Sequence, residues 1–120
     1  MKKILVVDDN WSIRDSLIQG LKHRGFDVEA ANNVQNALLK LNQSSFDVLV
    51  SDLKMPGANG FILATIVRQL YPKIRIILMS GYDYSEFAAV DYHAELTRYP
   101  KIKKPIKMMQ LEKLLQAVTV

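Results

Sequence analysis

Five side chains that could bind a metal ion or an anion stand at the ends of short apolar runs in this sequence. Asp8 and Asp9 follow ILVV, Asp52 ends VLVSD and Ser80 ends IILMS, while Lys104 lies in IKKP at the end of a weaker strand pattern. Three carboxylates brought within a few ångströms of one another repel, by about 1 kcal/mol per pair in water and about 4 kcal/mol at an effective protein dielectric. If the fold gathers these residues, a cation must offset their negative charge.

Magnesium is the ion that this set of donors fits. Mg²⁺ prefers hard oxygen ligands, and it usually takes one or two carboxylates together with waters and phosphate oxygens. We expect Asp9 and Asp52 to bind the ion directly and Asp8 to hold a coordinated water. The backbone carbonyl of Lys54 is expected as a further ligand. Zinc is disfavoured because the chain has no cysteine and no suitably placed histidine.

A carboxylate beside Mg²⁺ could also form a covalent bond to a phosphoryl group. Aspartate is a recognised phosphoryl acceptor, and the three outer oxygens of the phosphoryl group would then need partners. The metal would take one, the Ser80 hydroxyl with nearby backbone N–H groups a second, and the Lys104 ammonium the third. Each residue alone has a simpler explanation, since an Asp-Asp pair can cap a helix and Asp52 can open a turn. The combination favours a site.

The elements that must position these residues alternate along the whole chain. Strands are predicted at KKILVV, FDVEAA, FDVLVS, IRIILMS and just before Lys104. Three of these runs are almost continuously apolar, which indicates burial on both faces of a parallel sheet. Helical patterns cover residues 12–24, 33–43, 60–70, 84–96 and 107–118. The alternation predicts a doubly wound α/β fold with a five-stranded parallel sheet flanked by five helices, whose ligands bind beyond the carboxyl ends of the strands.

Length and composition exclude several classes of protein. The chain of 120 residues fits a single domain over residues 1–120. The first apolar run is four residues long, far below the roughly 18 of a membrane span, so we expect a cytoplasmic protein with no membrane contact. The net charge of +4 is spread along the chain except for a group of lysines near Lys104. No recognition helix or interleaved aromatic residues accompany it, so direct nucleic-acid binding is not expected.

These motifs, in this order, resemble the receiver domain of two-component response regulators, and the resemblance spans the whole chain. It rests on VVDDN, DVLVSDLKMPGANGF, ILMSG and KKP. The resemblance implies a flavodoxin-like receiver fold and Mg²⁺-dependent transfer of a phosphoryl group from the phosphohistidine of a sensor histidine kinase or phosphotransfer protein. It also implies a phosphoprotein that acts as a signalling switch on an output domain or protein target, and not an enzyme with a diffusing product.

The resemblance assigns a role to each residue of the candidate site. Asp52 corresponds to the phosphoacceptor, and Asp8 and Asp9 correspond to the acidic pair that binds the metal. Ser80 corresponds to the hydroxyl that moves in the switch, a position at which the family uses Thr or Ser. Lys104 corresponds to the cation that binds the phosphoryl group.

One region departs from the family pattern. Receivers usually carry an aromatic residue three positions before the lysine, and here Lys101 stands there while the nearest aromatic residue is Tyr99. We hypothesise that Tyr99 takes the place of the missing ring or that signalling uses another face. The helix predicted over 84–96 and the strand before Lys104 would form the output face. This region holds four tyrosines, which are explained either by plain packing or by an interface with a partner or a second copy in a homodimer: Tyr82, Tyr84, Tyr92 and Tyr99.

Three other functions remain open from the residues. A phosphatase or hydrolase with an aspartate nucleophile would share the acyl-phosphate chemistry, but it normally needs Asp-x-Asp on the first strand. A nucleotide-binding α/β domain would need a Gly-rich turn after that strand, and none is present. A receiver that acts only as an interaction module, without phosphorylation, would carry the same motifs. Phosphorylation in the presence of Mg²⁺ separates these alternatives.

Overall fold

Helices and strands alternate along the chain as the sequence predicts. The computed structural model describes residues 2–55, 59–81 and 98–119. Its elements are, in chain order, β1 (Lys3–Val7), α1 (Trp11–His23), β2 (Asp27–Ala31), α2 (Val34–Gln43), β3 (Val48–Asp52), α3 (Gly60–Leu70), β4 (Arg75–Ser80), β5 (Lys101–Lys103) and α4 (Met108–Thr119). The helix predicted over 84–96 lies outside the described residues. Within these ranges, no helix has both the length and the apolar character needed to cross a membrane.

All five strands pair in parallel in a single sheet, which confirms the predicted fold class. The strand order is β2-β1-β3-β4-β5, with Val7 of β1 in register with Ser51 of β3 and Ser80 of β4 in register with Lys103 of β5. From β1 the chain first adds β2 on one side and then β3, β4 and β5 on the other, so the winding changes direction between β1 and β3. In such sheets the crevice beyond the carboxyl ends at this switch point is where ligands bind.

The sheet has a hydrophobic core on each face. Because successive side chains of a strand point to opposite faces, Leu5 and Val7 of β1 pack with α2 and α3. Ile4 and Val6 of the same strand pack with α1 and α4 on the other face. This three-layer arrangement buries both faces of the central strands, so the residues just beyond their carboxyl ends are the ones placed to reach a ligand.

Local sequence signals explain where the helices begin and end. The side chain of Asn10 caps α1 by accepting hydrogen bonds from the backbone N–H of Ser12 and of Ile13, at 2.9 and 3.2 Å. Two asparagines, Asn32 and Asn33, precede the second helical pattern as candidates for its cap, and in the structure Asn33 caps α2. Gly25, with φ of +89°, ends the turn after α1, because this left-handed conformation strains other residues.

Candidate functional site

The two acidic residues that follow β1 have opposite environments. Asp8 is completely buried, whereas Asp9 is exposed. The backbone N–H of Asp8 donates to the carbonyl of Ala31 on β2 at 3.2 Å. Its Oδ1 accepts a hydrogen bond from the backbone N–H of Asn10 at 3.0 Å. The Asp8 carboxylate is therefore fixed in orientation, while Asp9 faces water.

The capping explanation for the Asp-Asp pair does not hold, because Asn10 takes that role. The guanidinium of Arg14, one turn into α1, donates to the backbone carbonyl of Asp8 at 2.7 Å. This contact ties the first turn of the helix to the residue that ends β1. The carboxylates of Asp8 and Asp9 remain available for another function.

Asp52 and Lys104 complete the charged cluster. Asp52, the last residue of β3, is 6% exposed. The Lys104 ammonium, just past β5, lies 2.9 Å from Asp8 Oδ2 and 3.2 Å from Asp52 Oδ2. The structure therefore brings the acidic residues of β1 and β3 together with the predicted cation, as the sequence analysis expected.

Burial and charge shift the titration of this cluster. Burial raises the pKa of Asp52 above its ordinary value of 3.8, and the charge of Asp8 raises it further. The Lys104 ammonium and the backbone N–H of Lys54 oppose this rise. Burial acts to lower the pKa of Lys104, but attraction by Asp8 and Asp52 outweighs it and leaves the pKa raised. One ammonium thus offsets the charge of two buried carboxylates only in part.

The carboxylate cluster fits a divalent cation. Each of Asp8, Asp9 and Asp52 offers an oxygen, and these oxygens lie within 4.8 Å of one another. Within the described part of the chain, the buried Asp8 Oδ2 accepts no well-directed hydrogen bond, although Lys104 lies close to it. A buried carboxylate oxygen with unused acceptor capacity, beside two more oxygen donors, suits Mg²⁺. The predicted ligation by the carbonyl of Lys54 stays a prediction.

Backbone hydrogen bonds place Ser80 beside Lys104. Ser80 ends β4, is 4% exposed, and accepts a hydrogen bond through its carbonyl from the backbone N–H of Lys104 at 2.9 Å. The backbone N–H of Leu53 donates to the carbonyl of Met79 at 2.8 Å. These backbone bonds join the residues just after β3 and β5 to the end of β4, so Ser80 ends its strand next to the residue whose ammonium contacts Asp52.

Tyr99 and Lys101 lie away from this cluster. Lys101 is the first residue of β5 and pairs with Leu78, two residues before Ser80. Its half-buried ammonium donates to the carbonyl of Tyr99 at 2.9 Å, and burial lowers its pKa. Tyr99 precedes the strand and packs against the core on the α2–α3 face. Their predicted switch roles stay predictions, and Tyr82, Tyr84 and Tyr92 lie outside the described residues.

Gly60 packs against the backbone of Asp52, a role that was not predicted from the sequence. The first residue of α3, it donates its backbone N–H to the carbonyl of Leu53 at 2.9 Å. A Cβ atom at this position would lie 2.0 Å from the carbonyl oxygen of Asp52 and 3.0 Å from Cα of Leu53. The glycine follows the capping residue Asn59, and that Asn-Gly pair at a predicted helix start is the signal that could have revealed it.

Replacing Gly60 with alanine should move the backbone that carries Asp52. Because the added methyl group meets main-chain atoms, we expect Gly60→Ala to lower the free energy of unfolding by about 1–3 kcal/mol, the usual cost of overpacking. Urea unfolding measures this change. Gly20→Ala is the matched control, since its methyl group would meet only the flexible end of Met108 and alanine favours the helix. An equal loss in both variants would contradict the explanation.

The raised pKa of Asp52 predicts a pH-dependent effect of its removal. A carboxyl group whose pKa is higher in the folded state destabilises the fold once it ionises, so its unfavourable contribution grows as pH rises through the folded pKa. Without divalent metal, Asp52→Asn should therefore be more stable than the unmodified chain at neutral pH. The difference should shrink as pH falls towards the ordinary aspartate range.

Urea unfolding of both chains at a series of pH values in EDTA measures that difference. Added Mg²⁺ should stabilise the unmodified chain more than Asp52→Asn. An asparagine variant that is less stable than the unmodified chain at neutral pH would contradict the predicted direction.

Comparison with known proteins identifies the family. The response regulator receiver domain model matches residues 4–116. The response regulator FleR of Pseudomonas aeruginosa is 30% identical over 97% of this chain, and the DNA-binding transcriptional regulator NtrC of Bradyrhizobium is 29% identical over 90%. The match covers 24% and 22% of those two proteins, so the chain spans about a quarter of the length of each of them.

Solved structures agree with this family and with the fold. The chemotaxis protein CheY4 of Vibrio cholerae has a TM-score of 0.86 at 31% identity, and 98% of each chain is covered. The response regulator TrrA of Thermotoga maritima, solved in complex with Mg²⁺-BeF, has a TM-score of 0.84 at 28% identity, again with 98% of this chain covered and 99% of the other. With the carboxylate cluster at the carboxyl ends of β1 and β3, these matches show that the chain belongs to the response regulator receiver domain family.

Proposed function

We propose that this chain accepts a phosphoryl group on Asp52 in a Mg²⁺-dependent reaction and changes conformation in response. The observation that carries this proposal is the gathering of Asp8, Asp9 and Lys104 around the Asp52 carboxylate. The donor would be the phosphohistidine of a sensor histidine kinase or phosphotransfer protein. The chain catalyses its own modification and acts as a switch, so it is not proposed as an enzyme with a released product.

The chemistry follows from the charges in the cluster. A carboxylate oxygen of Asp52 attacks phosphorus, the P–N bond of the donor breaks, and its electron pair returns to the imidazole. When bound, Mg²⁺ would supply positive charge to the phosphoryl oxygens, held by Asp9 and Asp52 with Asp8 on a coordinated water. Lys104 contacts Asp8 and Asp52 before the reaction, and its flexible stem lets the ammonium bind a phosphoryl oxygen afterwards.

The switch depends on the charge that the reaction adds. Phosphorylation replaces one negative charge with about two and adds strong acceptor oxygens. These oxygens would draw the Ser80 hydroxyl and the Lys104 ammonium inward from the ends of β4 and β5. Coupling free energies of about 1–3 kcal/mol are typical of such switches, enough to change the population of an output-competent state severalfold or more.

The output partner is proposed from the relatives alone. Among them are proteins described as DNA-binding transcriptional regulators, of which the match covers about a quarter. We infer that this chain controls an output domain or a protein target in the cytoplasm and does not itself bind nucleic acid. A homodimer through β5 and the segment 84–96 is a second form of output consistent with the sequence.

Phosphorylation by a small donor tests the proposal. The chain is incubated with acetyl phosphate and Mg²⁺, and its intact mass is measured by mass spectrometry. A gain of one phosphoryl group that requires Mg²⁺ is expected. No adduct under these conditions would favour the alternative of an interaction module that works without phosphorylation.

A further inference from the structure

A cavity of about 540 Å³ opens at the end of the sheet opposite the carboxylate cluster. Its wall is built from the last turn of α3 and the loop that follows it, the start of β4, the approach to β5 and the end of α4. Its volume lies within the range of roughly 300–1,000 Å³ that small-molecule sites occupy. Nothing in the phosphorylation chemistry uses this cavity.

Three arginines from three separate segments line the cavity. Arg68 lies on α3, Arg75 begins β4, and Arg98 lies on the approach to β5. No carboxylate is among the described lining residues. In the described part of the chain between Asp52 and Glu112, the sequence contains neither Asp nor Glu. The acidic residues of the segment 82–97 lie outside the described residues.

Guanidinium groups in this arrangement suit phosphate. Each guanidinium has five N–H donors in a planar fork that matches two phosphate oxygens at once. Arg68 and Arg98 also make other contacts within the chain, and each guanidinium carries five donors. Arg75 is exposed at the start of β4. The cavity therefore gathers guanidinium groups from three segments, an arrangement that suits a group with several negative oxygens.

The rest of the wall is apolar and contains an aromatic ring. Tyr99 lines the cavity and also packs against the core, so its ring is held in place. Ile74 and Val118 extend the apolar surface on either side. Flat bases stack on aromatic rings and on guanidinium planes. A ligand that combines phosphates with a planar ring would use both halves of this wall.

The cavity is separate from the phosphorylation site. Arg75 and Ser80 are the first and last residues of the six-residue strand β4, and at about 3.3 Å per residue they lie roughly 16 Å apart. A ligand against Arg75 would not compete with a phosphoryl group on Asp52. From the three arginines, the apolar wall and this separation, we propose that the cavity binds a small nucleotide, with its phosphates on the arginines and its base against Tyr99.

Calorimetric titration of the full chain with adenosine triphosphate in EDTA tests this site. Chelation of divalent metal keeps the carboxylate cluster from attracting the nucleotide through a metal ion. Arg75→Ser should weaken binding by about tenfold or more, because it removes charge-assisted hydrogen bonds to phosphate. Arg68→Ser is a second cavity variant with the same expected direction, and unchanged thermal unfolding shows that each variant is folded.

Lys73→Ser is the matched control. Lys73 is exposed, lies two residues before Arg75 and is not part of the cavity wall, so both serine variants remove one positive charge from nearly the same place. Binding by Lys73→Ser should change less than twofold. Equal weakening by Lys73→Ser and Arg75→Ser would mean non-specific attraction to a basic surface and would overturn the proposal.

Two ligand fragments separate the contributions of phosphate and base. Inorganic triphosphate and adenosine should each bind more weakly than adenosine triphosphate, and only the triphosphate should depend on Arg75. Triphosphate that binds as tightly as the nucleotide would rule out a role for the base. Absence of nucleotide binding at millimolar concentration, or much tighter binding of a single-stranded oligonucleotide, would equally overturn a small-nucleotide site. The phosphorylation test on Asp52 is unaffected by any of these results.

Discussion

Asp52→Asn should abolish the gain of a phosphoryl group that the unmodified chain shows with acetyl phosphate and Mg²⁺. An amide nitrogen or oxygen does not replace the carboxylate as nucleophile, while the variant keeps the size of the side chain at the end of β3. Intact mass measured over time should therefore show no adduct. The loss is expected to be complete, because Asp8, the other described residue whose carboxylate contacts Lys104, has a fully enclosed side chain, whereas 8% of the Asp52 side chain is exposed to a phosphoryl donor.

Two control variants make this result specific. Asp15→Asn removes an exposed carboxylate on α1 that accepts a hydrogen bond from Gln19, and its phosphorylation should match that of the unmodified chain. Asp9→Asn keeps the acceptor but removes a predicted metal ligand, so its reaction should need a higher Mg²⁺ concentration. An adduct that persists in Asp52→Asn would show that another residue is the acceptor.

Lys104→Met should lower both the stability of the fold and the rate of phosphorylation. Methionine keeps the apolar stem but removes the ammonium that contacts Asp8 and Asp52. Loss of one partner of a fully buried ion pair costs roughly 3–5 kcal/mol, and since the Lys104 side chain is 19% exposed we expect about 1–3 kcal/mol. Removal of one group that stabilises transition-state charge typically slows a reaction by about 10²–10³-fold.

Urea unfolding with and without Mg²⁺ tests the electrostatic reason for this loss. A divalent cation would offset the same carboxylates, so Mg²⁺ should stabilise Lys104→Met more than the unmodified chain. Lys103→Met, which changes the exposed neighbouring lysine, should alter neither stability nor rate by a comparable amount. If Lys104→Met were as stable as the unmodified chain in EDTA, the ammonium would not be balancing the buried charge.

Opposite stability changes are therefore expected from the two halves of one ion pair. Asp52→Asn removes a carboxylate whose ionisation is unfavourable in the fold, whereas Lys104→Met removes the cation that contacts both Asp8 and Asp52. The gain in stability expected for Asp52→Asn and the loss expected for Lys104→Met have the same cause, an excess of negative charge in the cluster. The same excess is what would draw a divalent cation to the site.

Much of the fold was predictable because it follows from local patterns. Nearly continuous apolar runs predicted the strands, and the turn residues Asn33 and Gly25 marked where neighbouring helices begin and end. The strand before Lys104 was predicted from position more than from composition, and it is present as β5. The functional groups of the site were also predictable, because the carboxyl groups of Asp8 and Asp9 and the amino group of Lys104 are given by the sequence itself.

The distances within the site depend on the tertiary structure. Asp8 and Asp52 come together because β1 and β3 are neighbours in the sheet, although β2 lies between them in the sequence. Neighbouring acidic residues can differ in burial, and only packing shows that Asp8 is enclosed while Asp9 is exposed. Both residues are aspartates that directly follow the apolar run of β1, so the sequence does not show which of them is buried.

The sequence by itself determined which groups are present and at which strand ends they stand. Only the tertiary structure decided that Lys104 bridges two carboxylates, that Gly60 must lack a side chain beside the Asp52 carbonyl, and that three arginines meet at the far end of β4. The physical reason is that periodicity and capping act over a few residues, whereas these contacts join segments that are distant in the chain and are set by how the layers pack.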